Sequence, residues 1–162
     1  MGNNMERAIN FNAAMVNAIL QGRKTQTRRI IEPQPDYRNG TYYWPKNNTT
    51  GYGAGLLKTL PKEWLAAFPF KLPGDTYIIQ SNEAPFKIKI TSVRVERLHD
   101  ISEADATAEG IDWDDGHGRL HPTAKIAFEN LWIDIYGTES WHSNPWVWVI
   151  EFKKLADKAD GE

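Results

Sequence analysis

Residues 86–98, FKIKITSVRVERL, constrain the fold more than any other stretch of the chain. Phe86, Ile88 and Ile90 fall on one face of an extended segment, and Lys87 and Lys89 on the other. Further along, the apolar residues Val93 and Val95 sit on odd positions instead. A strand alternates with period two and cannot change phase without an extra residue, so a β-bulge is expected near Thr91 and Ser92. A bulge bends its strand and sharpens the local twist, which suits a curved sheet better than a flat one.

The remaining elements can be read around this strand. RAINFN (7–12) predicts a short first strand. Asn12 is placed to cap a helix running to about Gln21, with Met15, Val16, Ile19 and Leu20 as its buried stripe and Gly22 where a C′ glycine belongs. TQTRRII (25–31) predicts a strand. Prolines then punctuate residues 32–75, and 32–72 reads as an insertion containing one short helix at 61–68. PGDTYIIQ (73–80) is a turn and a strand. DISEADATAEGI (100–111) is a short helix with Ser102 and Asp105 as an approximate capping box and Gly110 as its stop. Residues 112–121 form a loop, and 122–137 a helix between Thr123 and Gly137. PWVWVIEFKKL (145–155) closes the chain as a strand with Pro145 at its start, where no ladder donor is needed. Its valines, Val147 and Val149, are expected to face the sheet interior, and Trp146 and Trp148 to pack beneath a helix or the insertion. Mixed order with few strands predicts a single α+β domain over 1–162 whose sheet is curved or closed.

Composition narrows the function classes. The chain has 162 residues, a formal net charge of −2 and no cysteine. Disulfides, thiolate metal sites and a cysteine nucleophile are therefore excluded, and the composition fits the cytosol. No apolar run approaches the length of a membrane span. His117 and His121 stand near Asp114 and Asp115, but Gly116, Gly118 and Pro122 break the helix that a metal site there would want, so neither a metal nor any other cofactor is expected. A mildly acidic chain nevertheless gathers Arg23, Lys24, Arg28 and Arg29 within seven positions. Such a cluster can hold phosphates, or it can depress the pKa of one lysine among neighbouring cations. The seven tryptophans offer either a core of large rings or stacking surfaces for a flat ligand.

INFNAAMVNAILQGRKTQTRRI resembles the N-terminal signature of ASCH domains, a helix followed by a G-x-K-T-x-T-x-R pattern, here Gly22, Lys24, Thr25, Thr27 and Arg29 or Arg28. GDTYIIQ, ITSVRVERLHDISEADATAEGI and FENLWIDIYGTESWHSNPWVWVIEFKKL resemble the strands and helices that follow in that family. The resemblance covers most of the chain outside 32–72. It implies a PUA-like closed barrel of about five or six strands with flanking helices. Similar chains are frequent in phages and prophages, and most members are assigned nucleic-acid or nucleoside binding by analogy. One branch hydrolyses N4-acetylcytidine with a lysine, a threonine and a glutamate, which by motif position fall on Lys24, Thr27 and Glu109.

The resemblance thus implies a cationic cleft for RNA or a modified nucleoside, with Arg23, Arg28 and Arg29 on nucleic acid. An amidohydrolase is the alternative, and a protein-binding phage accessory the third reading. A threonine hydroxyl needs a base, and Lys24 serves only with a depressed pKa; Glu109, in the last turn of its helix, suits a proton shuttle. Lys24 and Thr27 reach one pocket only if Lys24 lies on the turn before the strand, with Thr25 as fallback. SNEAPF is shorter than the acidic, aromatic-rich segment of longer members, which leaves Glu83 without an assigned role. Residues 34–72 are expected to pack over one end of the barrel through Tyr42, Tyr43, Trp44, Trp64 and Phe68, as a lid.

Overall fold

The computed structural model describes residues 8–39, 41–43, 51–53, 68–112 and 120–157. In chain order these form helix α1 (Ala13–Leu20), strand β1 (Gln26–Ile30), short strands β2 (Asp36–Arg38), β3 (Thr41–Tyr43) and β4 (Gly51–Gly53), then β5 (Thr76–Ile79) and β6 (Phe86–Arg97). A 3-10 turn at Leu98–Asp100, helices α2 (Glu103–Ala108), α3 (Ala124–Tyr136) and α4 (Thr138–His142), and strand β7 (Trp146–Lys154) complete them. Helices α1, α2 and α3 start where their caps dictate. Asn12, Ser102 and Thr123 each accept a hydrogen bond from the backbone N–H three residues on, satisfying a donor that the helix itself leaves free.

The main sheet is antiparallel, curled into a half-barrel, with strand order β1-β7-β6-β5. Its longest strand changes phase where the apolar pattern does: Ile90 pairs with Phe152 but Ser92 with Glu151, so Thr91 is the extra residue. The strongly curved form of the expected fold is therefore the one found, and among the described residues the sheet has four strands. The first strand expected at 7–12 is not formed at 8–12. Ile9 is buried and Phe11 packs on Phe152 at 5.7 Å, so the alternation there records burial without pairing. β2, β3 and β4 make a separate antiparallel sheet inside the proline-rich stretch, which had been read without strands. Most of the short helix expected at 61–68, with Trp44 and Trp64, lies outside the described residues. Phe68, from the same stretch, is buried with its ring edge-on to Trp148 at 5.0 Å.

Both faces of β7 are buried, and the assignment of its faces is the reverse of the one expected. Trp148, Ile150 and Phe152 pack in the half-barrel with Ile19, Ile88 and Val95. Val147 and Val149 face α2 and α3, beside Ala106, Ala124, Ala127 and Phe128. The alanines of α2 and α3 meet the valines in that second layer, and the β7 indoles Trp146 and Trp148 belong to the half-barrel.

Candidate functional site

The end of α1 delivers the basic motif. Gly22, at φ +75°, lets the chain turn back so that the N–H groups of Arg23 and Lys24 both donate to the Ala18 carbonyl, at 2.9 and 3.1 Å. Lys24 thus lies on the turn, before β1 begins. Beyond the turn, the Thr25 N–H donates to Ala108 O at 2.8 Å, and Lys24 forms an isolated antiparallel bridge with Glu109, the C-cap residue of α2. Gly110 makes that contact possible. Its φ is +76°, and a Cβ there would stand 2.5 Å from Lys24 Cβ and 2.9 Å from Lys24 Cα. Gly110→Ala is expected to lower stability by about 2–3 kcal/mol through left-handed strain plus overpacking, read as a lower urea midpoint with an unchanged slope.

Lys24 is 3% exposed and its ammonium is fully engaged: Nζ donates to Gln26 O (2.9 Å), Glu109 O (3.0 Å) and Glu109 Oε2 (3.0 Å). Burial pushes the Lys24 pKa below its ordinary value; the Glu109 carboxylate opposes that shift, and Arg29 and Arg28 add to it. The other Glu109 oxygen, Oε1, accepts from Arg28 Nη1 at 3.0 Å. Arg28 Nη1 also donates to Gln26 Oε1, and its Nη2 donates to Glu96 (3.1 Å) and Asp105 (3.3 Å). One carboxylate is thus shared by two buried cations.

The basic cluster therefore splits by position. Arg28 is buried and bound to three carboxylates, so it presents no free surface to a phosphate, contrary to the role expected of it. Arg29 is partly buried: Nη2 donates to Asn10 O at 2.7 Å, and the guanidinium lies 5.3 Å from the centre of the Phe11 ring. Arg23 is exposed, donating from Nε to Gln21 Oε1 and from Nη1 to Gly110 O. The buried Nε groups of Arg28 and Arg29 have no hydrogen-bond partner among the described residues.

Lys24, Thr27, Arg28, Arg29 and Glu109 line one small cavity together with Phe128, Trp132 and Tyr136 of α3. Those rings recur every four residues along one helix face, a spacing visible in the sequence that the motifs around Lys24 and Glu109 did not include. Trp132 and Tyr136 lie 4.3 Å apart, centroid to centroid, at an interplanar angle of 38°. Thr25, the fallback for Thr27, is exposed and does not line this cavity. Glu83 lines a different groove, between α1 and the segment after β5. His117, Asp114 and Asp115 lie outside the described residues, among which no cluster of three or more His, Asp or Glu side chains could hold a metal.

On the outer side of Arg28 the network continues to the surface. Arg94 donates to Glu96 (2.8 Å), Asp105 (3.0 Å) and Glu151 (2.9 Å), and Ser92 donates to Glu151 at 2.6 Å. Burial alone would raise the Asp105 carboxyl, but the Gln26 amide with Arg94 and Arg28 holds it below its ordinary value. Glu151 is likewise held low, chiefly by the Ser92 hydroxyl and despite partial burial, with help from Arg94. Each carboxylate with a depressed folded pKa contributes stability that is complete above the unfolded value near 4 and fades as pH falls through the folded one. The urea midpoint of the wild type is expected to drop steeply below about pH 4, and that of Asp105→Asn/Glu151→Gln to drop less over the same range.

No family model and no curated protein matches the chain. Among solved structures it is similar to the ASCH domain from Lactobacillus crispatus JV V101, with 14% identity, a TM-score of 0.50, and coverage of 90% of this chain and 76% of that one. It is also similar to protein EF3133 from Enterococcus faecalis V583, with 13% identity, a TM-score of 0.49, and coverage of 94% and 81%. At such identity the first likeness establishes the fold.

Proposed function

We propose, from an ASCH-type, PUA-like fold whose basic turn borders a small buried cavity and a larger concavity that shares Met15, Glu109 and Leu131 with it, that this protein binds a single modified nucleoside at this place. The supporting observation is the cavity wall itself. It brings cationic groups, two of them with an unpartnered buried Nε–H, together with aromatic rings, Arg28 lying 6.0 Å from the centre of the Phe128 ring. A base stacks on such rings, and its carbonyl oxygens are acceptors for such donors. A strand of RNA fits this arrangement less well. Polynucleotide affinity comes from neutralising many phosphates, and the cluster leaves only Arg23 fully exposed while Arg28 is neutralised internally.

The contact between Lys24 and Glu109 favours a second reading, hydrolysis of an acylated nucleoside such as N4-acetylcytidine. Thr27 would attack the acyl carbonyl and Lys24 would take its proton. Lys24 acts as a base only in its uncharged form, and its burial shifts its pKa in that direction. The proton taken from Thr27, relayed through Glu109, would go to the amine as its C–N bond breaks, with Arg29 beside the developing oxyanion, and water would then hydrolyse the acyl-threonine ester to free the hydroxyl. The test is incubation with a panel of acylated and methylated nucleosides, followed by binding and product analysis. Saturable binding of one nucleoside is expected, with Thr27→Ala abolishing any turnover. Binding only to RNA, with a steep salt dependence, would contradict the proposal.

A further inference from the structure

Lys24, Arg28 and Glu109 are the buried charged side chains among the described residues, two cations against one carboxylate. That imbalance has a chemical consequence. If Lys24 loses its proton, Glu109 still has Arg28, whose Nη1 lies 3.0 Å from Oε1, and the buried charges balance. Without Arg28, the same loss would leave a bare carboxylate beside a cavity of about 30 Å³, room for about one water molecule. A buried charge without a partner is costly, so the lysine would keep its proton. Arg28 is built in to stay. It pairs with Val149 in the β1–β7 register, on the sheet face that α2 and α3 cover. Its Nη1 also donates to Gln26 Oε1, its Nη2 donates to Glu96 and Asp105, and its guanidinium lies 6.0 Å from the centre of the Phe128 ring.

We propose that Arg28 is a positioning residue for hydrolysis: it holds Glu109 in place and ionised, and so lets Lys24 shed its proton and serve as the base toward Thr27. This rests on the hydrolytic reading above. The other charged or titratable groups about Lys24 do not fill the role. Arg29, also on β1, donates to Asn10 O and lies against the Phe11 ring. Arg23, on the turn, donates to Gln21 and to Gly110 O. Tyr136 of α3 lines the cavity without a hydrogen bond to Glu109 among the described residues. Glu96 and Asp105 lie beyond Arg28 and are shared with Arg94. After burial, Glu109 and Arg29, the remaining influence on the Lys24 pKa is that of Arg28, and it is downward, the direction the role needs.

The experiment follows the 13Cε resonance of Lys24 against pH in the lysine-labelled full chain, with Lys24→Met to assign it. In Arg28→Met, Lys24 is expected to lose its proton at higher pH than in the wild type. Arg28→Lys keeps the charge and should titrate near the wild type. Arg94→Met leaves the contact between Arg28 and Glu109 intact and should not move the titration. For Arg28→Met, kcat/KM on N4-acetylcytidine should fall about tenfold at pH 7 and recover as pH rises, a recovery that a structural loss would not show. Thermal midpoints identify variants that fail to fold, and Arg28→Gln replaces Arg28→Met if that one does. A Lys24 titration unchanged or moved to lower pH in the neutral variant overturns the inference. So does turnover by that variant at the wild-type rate at every pH, which leaves the hydrolytic reading standing. If the wild type turns over no acylated nucleoside, the hydrolytic reading falls and the role of Arg28 in it falls too, whatever the titration shows.

Discussion

Glu109→Ala is expected to destabilise the fold by about 3–5 kcal/mol, which for a chain of this length lowers the thermal midpoint by roughly 10 °C or more. The carboxylate neutralises two cations that water cannot reach, Lys24 at Oε2 and Arg28 at Oε1. Removing it leaves both charges buried, and the small cavity admits too little water to solvate them. Glu109→Gln separates charge from shape, because it keeps one acceptor oxygen but turns a donor toward the second cation. It should fall between wild type and alanine. The double variant Lys24→Met/Glu109→Gln should cost less than the sum of its single changes, since the lysine then no longer needs the carboxylate. Additive costs would mean that the two side chains are not coupled.

Lys24→Met carries the other large effect, and it falls on chemistry more than on stability. Methionine fills most of the lysine volume without a charge, and Glu109 keeps Arg28 as its partner, so a stability loss of about 1–3 kcal/mol is expected. If the chain hydrolyses an acylated nucleoside, the same change removes the group that takes the threonine proton, and kcat/KM should fall at least about 100-fold. Binding of the nucleoside should weaken far less, because the aromatic wall is untouched. Turnover at the wild-type rate by a folded Lys24→Met protein would remove Lys24 from the mechanism.

What could be read in the sequence was whatever is encoded locally. The caps at Asn12, Ser102 and Thr123 are settled within four residues, and the phase switch at Thr91 is written into one strand's own pattern. The three strands of the small second sheet have three residues each, too few to display a period. The alternation of β7 could not say which face meets the half-barrel, because both faces are apolar and both are buried. Arg28 looked like surface charge because its partners are remote: Glu96 lies 68 positions away and Glu109 lies 81. Only folding reveals that the cluster is answered by carboxylates. The pairing of Lys24, Thr27 and Glu109 came from the family resemblance, since nothing in their spacing alone links a turn, a strand and the end of a remote helix.

The most direct test of the central claim is a 15N–1H spectrum of the labelled protein, followed through a titration with N4-acetylcytidine. If the buried cavity is the binding site, the amides that shift should cluster at residues 24–29, at 109–110, and at 128–136 on α3. Shifts confined to the opposite edge of the sheet, around β5, or no shifts at saturating nucleoside, would contradict the account.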